Sequence, residues 1–202
     1  MSILIETAYF PPISYIAEVV RADAVVIEIF ETYQKQTFRN HCSIYGPNGK
    51  QLLTIPVVKV NGNHTLTKDI RISHHQPWQK SHWRSIETAY NNSPFFLYYK
   101  DDFVPFYEKK FNFLIDLNIE LLQVLMVILK IERPINTNDS YDKFPVGLND
   151  FRSRHVQKSA DNKMKYTHYN QVFEPRYGFI PGLSIIDPIF NLGPEAKDYI
   201  CF

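Results

Sequence analysis

Short apolar runs flank an amphipathic segment at the start of the chain. Residues 3–5 and 24–30 have the length and apolar character of buried strands, and residues 13–21 carry apolar side chains at helical spacing. Pro11 and Pro12 end the first run, because proline can open a helix but cannot continue a strand. The pattern predicts a parallel βαβ unit, with a ligand crevice at the carboxyl edge of its sheet.

The middle of the chain combines turn signals with helical periodicity. Asn48-Gly49 lies between two apolar stretches and supplies a positive φ at low cost, which predicts a β-hairpin. The alternating run over residues 67–73 predicts another strand. Helical spacing then appears in three segments: residues 76–90, 95–107 and 111–130. Pro105 should break the second of these helices.

Residues 135–163 form a polar segment without the periodicity of a helix or a strand. Its basic residues cluster towards the end: Arg152, Arg154, His155 and Lys158. A loop of this length in a compact domain is either functional or a disordered linker. We therefore predict a loop within the domain that acts either as a lid over a ligand or as a linker.

The whole pattern predicts a single α/β domain over residues 1–202. We expect a βαβ opening, a mixed sheet that includes a hairpin, and helices in the middle and C-terminal parts. The length of 202 residues lies near the upper end of ordinary single domains.

Charge and cysteine content narrow the classes of partner. The formal net charge is +1, so no strong field attracts nucleic acid or an anionic bilayer. No apolar stretch approaches the roughly 20 residues of a membrane span, and the start lacks the pattern of an export signal. Two cysteines form no disulfide framework, which fits a reducing compartment. We expect a cytoplasmic protein that binds neither nucleic acid nor membrane; its oligomeric state is open.

Ordered segments along the chain resemble the WbqC-like family. They are Tyr-Phe-Pro-Pro-Ile-Ser-Tyr-Ile at 9–16, Tyr-Gln-Lys-Gln-Thr-Phe-Arg-Asn at 33–40, the hairpin with its Pro-Val ending at 46–57, Trp78, His82, Ile86 and Tyr90 on one helix, and Ser184, Asp187, Asn191 and Gly193 near the end. The chain departs from the family pattern at several positions, among them Glu6-Thr7 where Gln-Pro is common and His41 where an Arg is usual. The family often has an Asp-Asp pair before the segment that carries Lys35. Ile29 and Phe30 stand in its place here, with Glu28 and Glu31 on either side.

The resemblance implies a role in bacterial surface-polysaccharide or O-antigen biosynthesis. It implies that the protein makes or modifies an activated sugar, and it identifies neither a catalytic mechanism nor a cofactor. Our leading hypothesis is a transferase that acts on a nucleotide-linked or amino sugar. The alternative is a non-catalytic module of the same pathway that binds a sugar or a protein partner. Tyr9, Phe10, Tyr15, Trp78 and Tyr90 would then form an aromatic stacking platform, since aromatic rings stack on sugars as well as filling cores.

Two groups of polar residues are candidates for the transferase site. Lys35, Arg39 and Asn40 could hold a phosphate or carboxylate, or could belong to a solvated loop. His82 could transfer a proton, although a histidine between Trp78 and Tyr90 on one helical face could equally be a packing residue.

Asp187 is a carboxylate among apolar neighbours and is the second catalytic candidate. Capping of a helix is the alternative role for this residue. No metal is expected, because His74, His75 and His82 lack a ligand spacing. Hydrolase, P-loop and dinucleotide-binding signatures are also missing from the sequence.

Overall fold

A computed structural model describes residues 1–152 and 166–201 of the chain. Within these residues the strands are β1 (Ile3–Glu6), β2 (Val25–Glu28), β3 (His41–Gly46), β4 (Gly49–Thr54), β5 (Val57–Val58), β6 (Arg71–Ile72), β7 (Ile135–Thr137) and β8 (Asn149–Asp150). The α-helices are α1 (Ile13–Arg21), α2 (Trp78–Tyr90), α3 (Phe96–Phe103), α4 (Pro105–Glu108), α5 (Leu114–Ile128), α6 (Glu174–Tyr177), α7 (Ile186–Leu192) and α8 (Ala196–Cys201). The predicted α/β class is confirmed.

A parallel sheet with the strand order β7, β2, β1, β8 lies at the centre of the fold. Ile3 pairs with Val25 and Ile5 with Ile27, which confirms the predicted parallel βαβ unit. Helix α1 makes the crossover and buries its apolar side chains in the same core as the strands. The pairing brings the carboxyl ends of all four strands to one edge of the sheet.

The predicted hairpin is confirmed as β3 and β4, an antiparallel pair that closes with Gly46 opposite Gly49. Gly49 takes a φ of +93°, a backbone conformation that side chains disfavour and glycine adopts freely. Residues 67–73 form less strand than predicted. They contain a 3-10 turn, Thr67–Asp69, followed by the two-residue strand β6, which pairs with β5.

The helices follow the predicted pattern. Helix α2 begins at Trp78, and Pro105 separates α3 from α4, occupying the first turn of α4. Proline is favoured at the start of a helix, because the first N–H groups of a helix have no partner within it and proline has no N–H to donate. Among the described residues no helix has both the length and the apolar character needed to cross a bilayer.

The polar segment 135–163 contains more regular structure than its sequence suggests. Its described part contributes β7 and β8, which are the two edge strands of the parallel sheet. Strands of three and two residues are too short to show a period in the sequence, which is why the pattern indicated only a loop. Arg154, His155 and Lys158 lie outside the described residues, so the lid stays a prediction.

Candidate active site

The predicted catalytic histidine lies inside the molecule. His82 is 6% exposed, and its Nδ1 lies 3.0 Å from the hydroxyl of Tyr9, which in turn lies 2.9 Å from the hydroxyl of Tyr107. The ring of Trp78 meets the imidazole edge to face at 5.2 Å. The structure therefore brings together three sequence-predicted residues, Tyr9, Trp78 and His82, in a closed aromatic cluster.

Burial controls the charge of this histidine. Removal from water lowers the pKa of His82 to about 4, and a hydrogen bond with the backbone of Thr54 acts in the opposite direction. The imidazole is consequently neutral at pH 7. A neutral imidazole can accept a proton, but this one lies in packed surroundings, and its catalytic role stays a prediction.

Asp187 and Tyr90 belong to a second buried network. The Tyr90 hydroxyl donates to Asp187 Oδ1 at 2.9 Å, and the Gln171 side-chain amide and the Tyr169 hydroxyl donate to Oδ2. Burial raises the pKa of Asp187, and these donors partly offset that rise. The first turn of α7 contains Asp187, but the N-cap is Ile185, so the capping alternative is wrong.

Two of the three residues predicted to hold an anion make contacts within the protein instead. Arg39 is 1% exposed and donates from Nε and Nη2 to Glu31 and from Nη1 to Thr37. The Asn40 side-chain amide donates to the backbone oxygen of Ile55 at 2.9 Å. Only Lys35 extends its side chain into solvent. The solvated-loop alternative is thus wrong for Arg39 and Asn40.

The turn after β1 is strained and tightly held. Phe10 has a φ of +40° although it carries a buried ring, a conformation that costs on the order of 1–3 kcal/mol. Backbone and side-chain hydrogen bonds to Phe38, Leu183 and Ser184 hold the turn. Tyr15 follows in α1, and its hydroxyl donates to the backbone oxygen of Glu6 at 2.9 Å. The aromatic residues of the proposed platform are therefore core residues in this structure.

Charged residues that sequence reasoning did not group into one site gather at the carboxyl edge of the parallel sheet. Glu6 is the last residue of β1, Glu28 the last of β2, and Asp150 the last of β8. Asn138 directly follows β7, and its side-chain amide donates to Glu28 Oε1 at 2.7 Å. We call the group formed by Glu6, Glu28, Glu31, Arg39, Asp150 and Arg152 the edge cluster.

Arg152 and Arg39 tie this cluster together. Arg152 donates from Nη1 to Glu28 at 2.9 Å and from Nη2 to Asp150 at 2.6 Å, so it bridges β2 and β8. Arg39 makes the corresponding pair with Glu31. Buried ion pairs stabilise little in total, because desolvation of the charges offsets their attraction. Stability alone therefore does not account for so many charged groups in one place.

Glu6 has the most altered acidity in the edge cluster. Burial raises its pKa to about 8, Arg39 opposes the rise, and Glu31 and Asp150 add to it. Burial also raises the pKa of Glu31, whereas the hydrogen bond from Arg152 lowers that of Asp150. A carboxyl group with a pKa near neutrality can both donate and accept a proton under physiological conditions.

The edge cluster reaches solvent at one point and contains more acids than bases. The side chain of Asp150 is 39% exposed, while Glu28 and Arg152 lie beneath it. Four carboxyl groups face two guanidinium groups, so the site favours a ligand with hydrogen-bond donors or a positive charge. Within residues 1–152 and 166–201, no three His, Cys, Asp or Glu side chains are arranged so that they could hold a metal ion.

Fold and site together define an α/β protein with a buried acid–base cluster at the carboxyl edge of a parallel sheet. The sequence profile of the WbqC-like protein family matches residues 7–148 and 145–199, and the chain belongs to that family. It is also similar to the uncharacterized protein Rv1507c of Mycobacterium tuberculosis. The two are 25% identical over 223 aligned residues, which cover 98% of this chain and 96% of the relative. No solved structure matches the chain.

Proposed function

We propose that this chain is a transferase that acts on a nucleotide-linked or amino sugar, with Glu6 as the group that moves the proton. The observation that carries the proposal is a carboxyl group with a pKa of about 8 at the carboxyl edge of a parallel sheet. Ligands of open α/β folds bind at that edge, and acid–base catalysis is most efficient when the pKa lies near the working pH.

The composition of the edge cluster supports the amino-sugar half of the proposal. The excess of carboxyl groups attracts an ammonium group, and Glu6 in its carboxylate form accepts the proton that an amine must lose before it can attack. The same group, once protonated, can return the proton to a leaving group. Arg39 limits the rise in the pKa of Glu6 and so keeps both forms populated.

The proposal that the substrate is a nucleotide-linked sugar depends on Lys35. Arg39 and Asn40 already bond to Glu31 and Ile55, whereas the exposed Lys35 makes no ion pair among the described residues. Lys35 lies in the segment between Glu31 and Arg39, and its ammonium group is suited to a phosphate oxygen. The role in surface-polysaccharide synthesis comes from the family resemblance.

A screen followed by a matched pair of variants tests the proposal. Nucleotide-linked sugars and amino sugars are surveyed by thermal shift, where a ligand at a hundred times its Kd stabilises the fold by about 2.7 kcal/mol. Turnover of compounds that bind is followed by NMR. We expect Glu6→Gln to keep binding while kcat falls roughly 10²- to 10⁴-fold, and the exposed Glu132→Gln to behave as the unmodified protein.

The pH dependence of turnover gives a second readout. The rate should change near pH 8 in the unmodified protein, and this change should vanish in Glu6→Gln. Full turnover by folded Glu6→Gln would contradict the assignment of the proton-transfer group. Binding without turnover in every protein would favour the alternative, a non-catalytic sugar-binding module.

A further inference from the structure

A cavity of about 510 Å³ lies away from the edge cluster, where the end of α2 meets the C-terminal segments. Its polar lining is dominated by amide side chains, which are Asn92, Asn170, Gln171 and Asn191. His168 and the ring of Tyr169 complete the polar and aromatic part of the wall. The volume falls within the roughly 300–1,000 Å³ range of small-molecule sites.

The chemistry of the lining selects one kind of ligand. An amide side chain has both donors and an acceptor, which matches the hydroxyl groups of a sugar, since each hydroxyl also donates and accepts. None of the lining residues is Lys, Arg, Asp or Glu, and the imidazole of His168 is engaged by Glu174. The cavity therefore favours an uncharged, polyhydroxylated molecule over a phosphate or an amine.

Close packing joins the two walls of this cavity. Gly193 adopts a φ of +58°, and a Cβ atom at this position would lie 2.5 Å from the ring of Phe95. The backbone N–H of Phe95 donates to the Phe190 oxygen at 3.0 Å. These contacts hold the segment that carries Asn92 against the segment that carries Asn191, so the cavity is a built feature of the fold.

A buried network fixes the inner wall. Asp187 accepts hydrogen bonds from Tyr169 and Gln171 at its carboxylate, and its backbone oxygen accepts from the Asn191 amide at 2.9 Å. Gln171 also accepts from the N–H of Ile180 at 2.8 Å. The inner wall is thus held in place before any ligand arrives, which limits the entropy lost on binding.

The outer wall has unused hydrogen-bonding groups. Asn92 and Asn170 are exposed, and their side chains make no hydrogen bond within the described part of the chain. A ligand that enters the cavity can pair with both amides without displacing a contact inside the protein. Because they are exposed and have no such partners, their replacement leaves the folded structure intact.

We propose that this cavity binds an uncharged saccharide, with Asn92 and Asn170 as the amides that contact it. The site is independent of the proposed transferase reaction, because none of its lining residues belongs to the edge cluster. It could therefore persist in a protein whose edge cluster does not catalyse.

Saturation-transfer NMR with defined probes tests this proposal. The neutral probes are methyl β-glucoside and N-acetylglucosamine, and inorganic phosphate is the charged competitor. We expect saturation of the ring protons of both sugars by the full chain. Asn92→Ala/Asn170→Ala should bind them roughly 10- to 30-fold more weakly, the loss expected for two neutral hydrogen bonds.

Two control proteins separate this site from the other one. Asn63→Ala/Asn112→Ala removes two exposed amides elsewhere and should bind the sugars normally, as should Glu6→Gln. Absence of saturation transfer from both sugars would overturn the proposal. Equal binding by Asn92→Ala/Asn170→Ala, or displacement of the sugars by phosphate, would overturn it as well.

Discussion

Replacement of Glu6 by Gln should stabilise the protein at neutral and alkaline pH. Glutamine mimics the shape of the protonated carboxyl group and cannot ionise. In the folded protein burial holds the pKa of Glu6 at about 8, compared with 4.5 for an exposed glutamate. Each tenfold change in proton affinity corresponds to about 1.4 kcal/mol, so this difference amounts to about 5 kcal/mol of unfolding free energy.

The sign of the effect follows from proton binding. Between pH 4.5 and 8 the folded protein retains the proton on Glu6, whereas the unfolded chain has lost it. Because the unfolded state binds fewer protons there, the contribution of Glu6 to stability falls as the pH rises. This contribution is fully present below pH 4.5 and is lost by about pH 8. Glu6→Gln avoids the loss.

Urea unfolding at pH 5, 7 and 9 measures this effect directly. The unfolding free energy of Glu6→Gln minus that of the unmodified protein should be small at pH 5 and should grow to several kcal/mol at pH 9. Glu132→Gln removes a carboxyl group at the surface and should show no such trend. A difference that stays constant with pH, or that shrinks as the pH rises, would refute the burial of an ionisable Glu6.

Three further substitutions probe other parts of the structure by chemical denaturation. Gly193→Ala should lower the unfolding free energy by about 2 kcal/mol or more, because the new methyl group meets the ring of Phe95 and φ is positive; an unchanged value would contradict that packing. Between pH 6.5 and 4 the unfolding free energy of His82→Gln should fall less than that of the unmodified protein, because the lowered pKa of His82 makes the unfolded state bind more protons there. An equal fall of the unfolding free energy in both proteins would argue against a buried imidazole. Arg39→Met should lower the unfolding free energy by about 3–5 kcal/mol, because it leaves buried Glu31 without its cation. Arg39→Met/Glu31→Leu should recover most of that loss; no recovery would contradict the burial of the pair.

Local sequence patterns were sufficient to predict the parallel strand pair, the hairpin and the break between two helices. The apolar runs around Ile3 and Val25, with an amphipathic segment between them, predict a buried parallel pair, and the structure contains that pair. Gly49 marks the hairpin because it accepts a positive φ, and Pro105 separates two helices because it has no N–H. Each of these features depends on a few neighbouring residues.

The same reasoning failed where an element is too short to have a period. Strands β7 and β8 contain three and two residues, and each is stabilised by a longer neighbour in the sheet rather than by its own sequence. The aromatic residues show a related limit. Composition predicts that Tyr9 and Trp78 carry large apolar area, but only packing decides whether that area faces the core or a ligand.

By itself the sequence determined the α/β class and the parallel opening unit. It also placed His82 and Asp187 in segments that resemble the WbqC-like family. The tertiary structure alone decided that Glu6, Glu28 and Asp150 share one site. Each ends a different strand, and Asp150 lies more than a hundred positions after Glu6 and Glu28 in the sequence. Parallel order brings those ends to one edge, and burial at that edge changes the acidity of Glu6, because low dielectric surroundings penalise its charged form.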